Sequence, residues 1–142
     1  MKIEHIALYT NRLEELKKFY TNYFNGKSNN KYVNPHKGFE SYFITFESGA
    51  RLELMHQRGI AERSANVFVG LIHLAFSVGS KEKVDELTQR LEQEGFKKIS
   101  GPRLTGDGYY ESCILDPDGN IVEITIESIW RLKGNNYKDE LQ

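Results

Sequence analysis

The heptapeptide Ile3-Glu4-His5-Ile6-Ala7-Leu8-Tyr9 returns in altered form as Ile72-His73-Leu74-Ala75-Phe76-Ser77-Val78, and this echo constrains the fold more than any other feature of the chain. Each copy reads as a strand with one histidine. Downstream of each, a helix-patterned segment leads to a second matched pair, Gly49-Ala50-Arg51-Leu52-Glu53-Leu54-Met55 and Gly119-Asn120-Ile121-Val122-Glu123-Ile124-Thr125. Both glutamates stand four residues after a glycine. His5 and His73 are 68 residues apart and Glu53 and Glu123 are 70 apart, so one module is written twice with a small insertion.

Side chains alternate between the two faces of a strand. His5 therefore shares a face with Ala7 and Tyr9, while Ile6 and Leu8 point the other way. His73 likewise opposes Leu74, Phe76 and Val78; Glu53 opposes Leu52 and Leu54; Glu123 opposes Val122 and Ile124. If the modules form one curved sheet with helices on its apolar side, the four polar residues meet in the concavity. Two imidazoles and two carboxylates suit a borderline divalent ion. A lone His or Glu in a strand is usually a solvated residue, but four at matching positions of a repeat are not explained that way.

Between these strands the chain punctuates itself. Asn11 is placed to cap a helix over about 12–24, with Leu13, Leu16, Phe19, Tyr20 and Tyr23 at helical spacing, and Asn25-Gly26 ends it. Residues 27–37 are polar and read as a loop containing a solvated His36; 39–47 and 50–57 read as strands. His56 falls opposite Glu53 and is not counted as a ligand. The second module repeats the plan: a Ser80-capped helix over about 81–94 with the stripe Val84, Leu87 and Leu91, closed by Gly95, then a strand interrupted at Gly101-Pro102. Asp116-Pro117-Asp118-Gly119 has the residues of a type I turn and delivers the strand with Glu123.

The expected architecture is α+β, two paired βαβββ modules forming a curved mixed sheet with helices on the convex side. The boundaries are a domain over 1–127 (module one about 1–57, linker about 58–70, module two about 71–127) and a tail over 128–142 in which Ile129, Trp130 and Leu132 pack back on the body or on a partner. A length of 142 residues suffices for a sizeable interior. A net charge of −1 gives no footprint for nucleic acid or an anionic membrane, and no apolar run approaches the ~20 residues that span a bilayer. The single cysteine, Cys113, excludes an internal disulfide and a cysteine-rich zinc site, and reads as packed rather than reactive. With no secretory leader visible, a cytoplasmic location is expected.

His5 followed by Asn11, Leu52-Glu53-Leu54, His73 to Val78, Ser100-Gly101-Pro102 and Asp116 to Asn120 ending in Val122-Glu123 together resemble the vicinal oxygen chelate superfamily, also called the glyoxalase, bleomycin resistance and dioxygenase superfamily. The set His5, Glu53, His73 and Glu123 is most similar to that of glyoxalase I, the lactoylglutathione lyase; related dioxygenases and fosfomycin-modifying transferases use two His and one Glu. The resemblance implies a Zn²⁺ or Ni²⁺ ion, with Co²⁺ or Mn²⁺ as alternatives, and a lyase or isomerase acting on an α-oxo adduct. Proton abstraction next to a carbonyl then gives a metal-stabilised enediolate. Glu123 is the expected base, with Glu53 as ligand and proton-returning group. It also implies a small-molecule substrate and a homodimer in which His5 and Glu53 of one subunit share a site with His73 and Glu123 of the other.

The sequence departs from the glyoxalase I pattern at Tyr9, where that family has an arginine for the glutathione carboxylate, and at Gln57, where it has an asparagine. A phenol cannot form the bidentate charged pair, so the resemblance reaches further for the metal than for glutathione. Arg51 and Arg103 are the alternative cationic anchors. A drug-binding protein of the bleomycin-resistance type, stacking a planar ligand on Tyr9, Tyr42, Phe46, Tyr109 and Tyr110, and a thiol or fosfomycin transferase are the other readings.

Overall fold

The computed structural model describes residues 1–62 and 70–126. Two compact units divide the chain between Gly70 and Leu71.

In the first unit the strand β1 (His5–Tyr9) leads to the helix α1 (Leu13–Tyr23), followed by β2 (Lys27–Ser28), β3 (Tyr32–Asn34), β4 (Phe39–Thr45) and β5 (Arg51–Gln57). The sheet runs in the order β1-β5-β4-β2, with β3 also on β4. β1 lies parallel to β5 and the remaining pairs are antiparallel. The stretch expected as a loop over 27–37 thus holds two short strands. Their two- and three-residue pairings leave no apolar alternation to read. Leu13, Leu16, Phe19 and Tyr20 of α1 are buried, and so are Tyr42 and Ile44 of β4 and Leu52 and Leu54 of β5, which gives the unit a core between helix and sheet.

Asn11 does not cap α1. Arg12 occupies the cap position and its side chain makes no cap bond to the helix, and Asn11 Nδ2 instead donates to Glu62 Oε1 at 2.9 Å. Thr10 Oγ1 accepts from the Arg12 amide at 2.8 Å and so does the turn-forming work one residue earlier.

The second unit repeats the order with β6 (His73–Ser77), α2 (Lys81–Gln93), β7 (Lys98–Leu104), β8 (Tyr110–Leu115) and β9 (Ile121–Thr125), in the sheet β6-β9-β8-β7. β6 and β9 are parallel, as β1 and β5 are. The molecule is therefore α+β, built from two units of βαβββ plan, the first with one additional short strand. Ser80 caps α2 as expected, accepting from the Lys83 amide at 3.3 Å. The buried stripe of α2 is Val84, Thr88 and Leu91, with Thr88 fully buried and Leu87 half-buried. Burial of the threonine is tolerated because its hydroxyl donates to Val84 O at 2.6 Å and accepts from the Ser112 hydroxyl, so neither polar group is left unmet.

β7 runs through Gly101-Pro102 instead of stopping there, with register shifts on either side of Ser100. Gly101, at φ +76°, passes against the Glu111 carbonyl, where a Cβ has no room. The turn into β9 forms as read. Asp116 O accepts from the Gly119 amide at 2.9 Å, Asp116 Oδ1 accepts from the amides of Asp118 and Asn120, and Gly119 takes the positive φ that the turn requires. The expected tail with Ile129, Trp130 and Leu132, and most of the expected linker, lie outside the described residues. Among the described residues no helix is long and apolar enough to cross a membrane.

Candidate metal centre

Strand pairing decides which side chains can meet. In the first unit Ala7 is the register partner of Glu53, so His5, two residues earlier on β1, projects from the same face of the sheet as Glu53. Core residues Leu52 and Leu54 flank Glu53 and point to the opposite, helix-covered face. The outcome is a contact of 3.7 Å between His5 Nε2 and Glu53 Oε2. In the second unit Ala75 is the partner of Glu123, and His73 Nε2 lies 3.4 Å from Glu123 Oε2. In both pairs the imidazole is half-exposed, while the carboxylates are only 18% and 13% exposed. Each unit thus carries the same half-site, with a histidine on an edge strand and a glutamate on the parallel neighbour.

The surroundings of the two pairs differ. Opposite Glu53 on β4 stands Phe43; at the corresponding place opposite Glu123 on β8 stands Cys113. Glu111, two residues before Cys113, completes a group in which ligand-capable atoms of Glu111, Cys113 and Glu123 lie within 4.8 Å of one another. This crowding is reflected in acidity. Burial is the main cause that pushes the Glu123 carboxyl above the usual carboxylate range; the charge of Glu111 adds to it, and His73 opposes it. Burial also pushes the Cys113 thiol up, which agrees with the reading of a packed rather than reactive cysteine.

Around His5 the neighbours are Glu4, Arg51 and Phe43. Glu4 contacts His5 Nδ1, Arg51 Nε donates to Glu4 Oε1 at 2.8 Å, and the His5 and Phe43 rings meet edge to face at 5.6 Å. None of Glu4, Phe43, Glu111 and Cys113 was marked as part of a site by the sequence pattern. Cys113 and Glu111 were findable from alternation, since they share a strand face that ends opposite Glu123. Glu4 was not, because a residue next to His5 within a strand is expected on the other face.

A family model described as the glyoxalase/bleomycin resistance protein/dioxygenase superfamily matches residues 2–124. The chain belongs to this superfamily. Among solved structures, the trypanothione-dependent glyoxalase I from Leishmania major superposes with a TM-score of 0.74 at 21% identity, covering 94% of this chain and 91% of that one. Lactoylglutathione lyase from Agrobacterium tumefaciens gives 0.65 at 25% identity, with 90% and 95% covered. Among curated proteins, an uncharacterized protein of Bacillus subtilis, YqjT, is 40% identical over 63 residues, a match spanning 42% of this chain and 49% of that protein.

For a superfamily member, the residues expected to touch substrate are unevenly placed. Tyr9 is 59% exposed and lies on the His5 face of β1. Gln57 lies on the Glu53 face of β5, but its amide donates to Lys37 O at 2.6 Å. Arg103 is exposed, with a terminal nitrogen 3.6 Å from Glu111 Oε1. Arg51 is on the Glu53 face with its guanidinium committed to Glu4 and stacked 4.2 Å from the centre of the Phe43 ring. Of the aromatic set expected to stack on a planar ligand, Tyr42 is buried in the core, and Tyr110 donates its hydroxyl to Asp85 of α2 at 2.7 Å. Both rings sit on helix-covered faces, Tyr42 opposite the face that carries His5 and Tyr110 opposite the face that carries His73. His56, also on a helix-covered face, donates from Nδ1 to Thr10 O at 3.0 Å.

Proposed function

We propose that this chain is a metal-dependent lyase or isomerase of the glyoxalase type, acting on the α-oxo adduct of a thiol. The observation that carries the reading is the twofold recurrence of a His Nε2–Glu Oε2 pair, at 3.7 and 3.4 Å, on the face of each sheet turned away from its helix. Two ligands about 2.1 Å from one ion are roughly 3.0 Å apart at octahedral and 3.4 Å apart at tetrahedral angles, so each pair is spaced to hold one divalent ion with little movement. Neutral imidazole and carboxylate donors fit Zn²⁺, Ni²⁺, Co²⁺ or Mn²⁺.

His5, Glu53, His73 and Glu123 would hold the ion jointly. When bound, the ion supplies positive charge where negative charge develops on the two substrate oxygens. Glu123 takes the proton from the carbon that bears sulfur and hydroxyl, and the electron pair left behind delocalises onto the neighbouring carbonyl oxygen. Return of the proton to that neighbouring carbon, together with transfer of the hydroxyl proton from the oxygen on the sulfur-bearing carbon to the oxygen on its neighbour, converts the hemithioacetal into a 2-hydroxy thioester with atoms and electrons conserved. The carboxyl of Glu123, held high by burial and by Glu111, is suited to accept that proton. Glu53 serves as ligand and, once the proton has passed to it from Glu123, delivers it to the neighbouring carbon. In the working assembly, His5 and Glu53 of one copy join His73 and Glu123 of a second copy. The test is to strip the protein of metal, restore each of the four ions and assay methylglyoxal with several thiols. Turnover with at least one combination is expected, and none with any combination contradicts the reading.

A further inference from the structure

His5 is held by Glu4 and Phe43, and its counterpart His73 has no equivalent hold from the matching positions. Glu4 contacts His5 Nδ1, and the same carboxylate accepts from Arg51, with Nε at 2.8 Å. The Arg51 guanidinium stacks on Phe43 at 4.2 Å, and Phe43 packs against the His5 ring at 5.6 Å. The contacts close a ring, Glu4 to His5 to Phe43 to Arg51 and back to Glu4. The Arg51 amide also donates to Glu4 O at 3.0 Å, which fixes the backbone from which the carboxylate projects. At the matching places of the second unit the chain has Ile72 before His73, Ile121 as its register partner and Cys113 in place of Phe43. None of these three reproduces the carboxylate, the guanidinium or the aromatic ring.

An ionised carboxylate only accepts hydrogen bonds, so the His5 nitrogen facing Glu4 must carry a proton. In the neutral ring the lone pair then belongs to Nε2, the atom 3.7 Å from Glu53. We propose that Glu4, anchored by Arg51, is a positioning residue that selects the Nδ1–H form of His5 and aims Nε2 at the ion. The His5–Glu53 pair is therefore the preorganised half of the centre, and the His73–Glu123 pair has Ile72 at the position matching Glu4. This inference rests on the metal reading given above. Outer-shell carboxylates of this kind hold the ring orientation and raise the basicity of the ligating nitrogen.

The experiment is a Co²⁺ titration of wild-type, Glu4→Ala, Glu4→Gln, His5→Ala and the double variant His5→Ala/Glu4→Ala, followed by absorption. Alongside it, two-bond nitrogen–proton NMR of the metal-free protein at about pH 9, above the ordinary imidazole range, reports the His5 tautomer. Glu4→Ala is expected to weaken Co²⁺ binding about 10–100-fold, with Glu4→Gln in between because its amide oxygen still accepts. Added to His5→Ala it costs nothing further, since its partner is gone. NMR is expected to show Nδ1–H in wild-type and a growing Nε2–H population in Glu4→Ala. Unchanged Co²⁺ affinity in Glu4→Ala, or an Nε2–H His5 in wild-type, overturns the proposal. If His5→Ala itself binds Co²⁺ as tightly as wild-type, the metal reading fails; if His5→Ala loses the ion and Glu4→Ala keeps it, only the positioning role fails.

Discussion

His73 Nε2 lies 3.4 Å from Glu123 Oε2, on a sheet face where Glu111 and Cys113 crowd the same carboxylate. The matching Glu53 has Phe43 opposite it instead. The two glutamates therefore stand in unlike surroundings. Glu123→Gln is expected to lower kcat by roughly 10²–10⁴-fold, in the range of lost general-base catalysis, and Glu53→Gln by less. Steady-state kinetics with the metal and thiol adduct that give turnover in the assay proposed above decides this. A larger loss for Glu53→Gln reverses the assignment, and full activity in Glu53→Gln points to a transferase with three protein ligands.

The raised Glu123 carboxyl links stability of the metal-free protein to pH. The folded state binds this proton more tightly than the unfolded chain, so the group's contribution is fully present below the unfolded carboxyl range and is lost as pH rises through the raised value. Glu123→Gln should remove this dependence. Urea unfolding in chelator is expected to show the variant gaining stability over wild-type as pH rises from the unfolded carboxyl range through the raised value. A constant difference across that window would contradict the assigned cause.

Asp116 joins the candidate centre to the fold. Its carboxylate accepts from the amides of Asp118 and Asn120 and from the Asn120 side chain, at 2.8–2.9 Å, and it is 4% exposed. Asp116→Ala leaves these donors unmet at the turn that sets the register of β9 and hence of Glu123. A loss of about 1–3 kcal/mol in denaturant unfolding is expected. Asp116→Asn, which keeps one acceptor oxygen, should recover part of it.

What the sequence made legible follows from where period and repetition are strong. The two histidines and two glutamates stood out because alternation opposes each of them to apolar neighbours and because the pattern recurs; the structure places each His beside its own Glu. The turn at Asp116 was readable because its chemistry is local. Thr88 was not, since helical spacing favoured Leu87 and only the Ser112 hydroxyl across the core makes the threonine acceptable inside. Asn11 was misread because its side chain is taken by Glu62, a partner remote in sequence. Glu4 escaped notice because it lies just before the first residue of β1, where strand alternation no longer dictates direction.

The assembly is open to complementation. His5→Ala and His73→Ala are each expected to be inactive. Refolded together in equal amounts, shared sites across two copies give one intact site in every mixed dimer, so about one quarter of wild-type activity should return. If each chain builds its own site, every site keeps a lesion, and no recovery with mixed dimers shown to form contradicts the shared arrangement.

The most direct test of a single centre drawing on both pairs is the number of ions bound per chain at equilibrium, measured by metal titration of the stripped protein with elemental analysis. One ion per chain is predicted. Each of His5→Ala, Glu53→Gln, His73→Ala and Glu123→Gln should weaken that same ion by more than the roughly 10–100-fold an outer-shell partner supplies. Two ions per chain, with the first-unit variants removing one and the second-unit variants removing the other, would mean independent half-sites and contradict the joint centre.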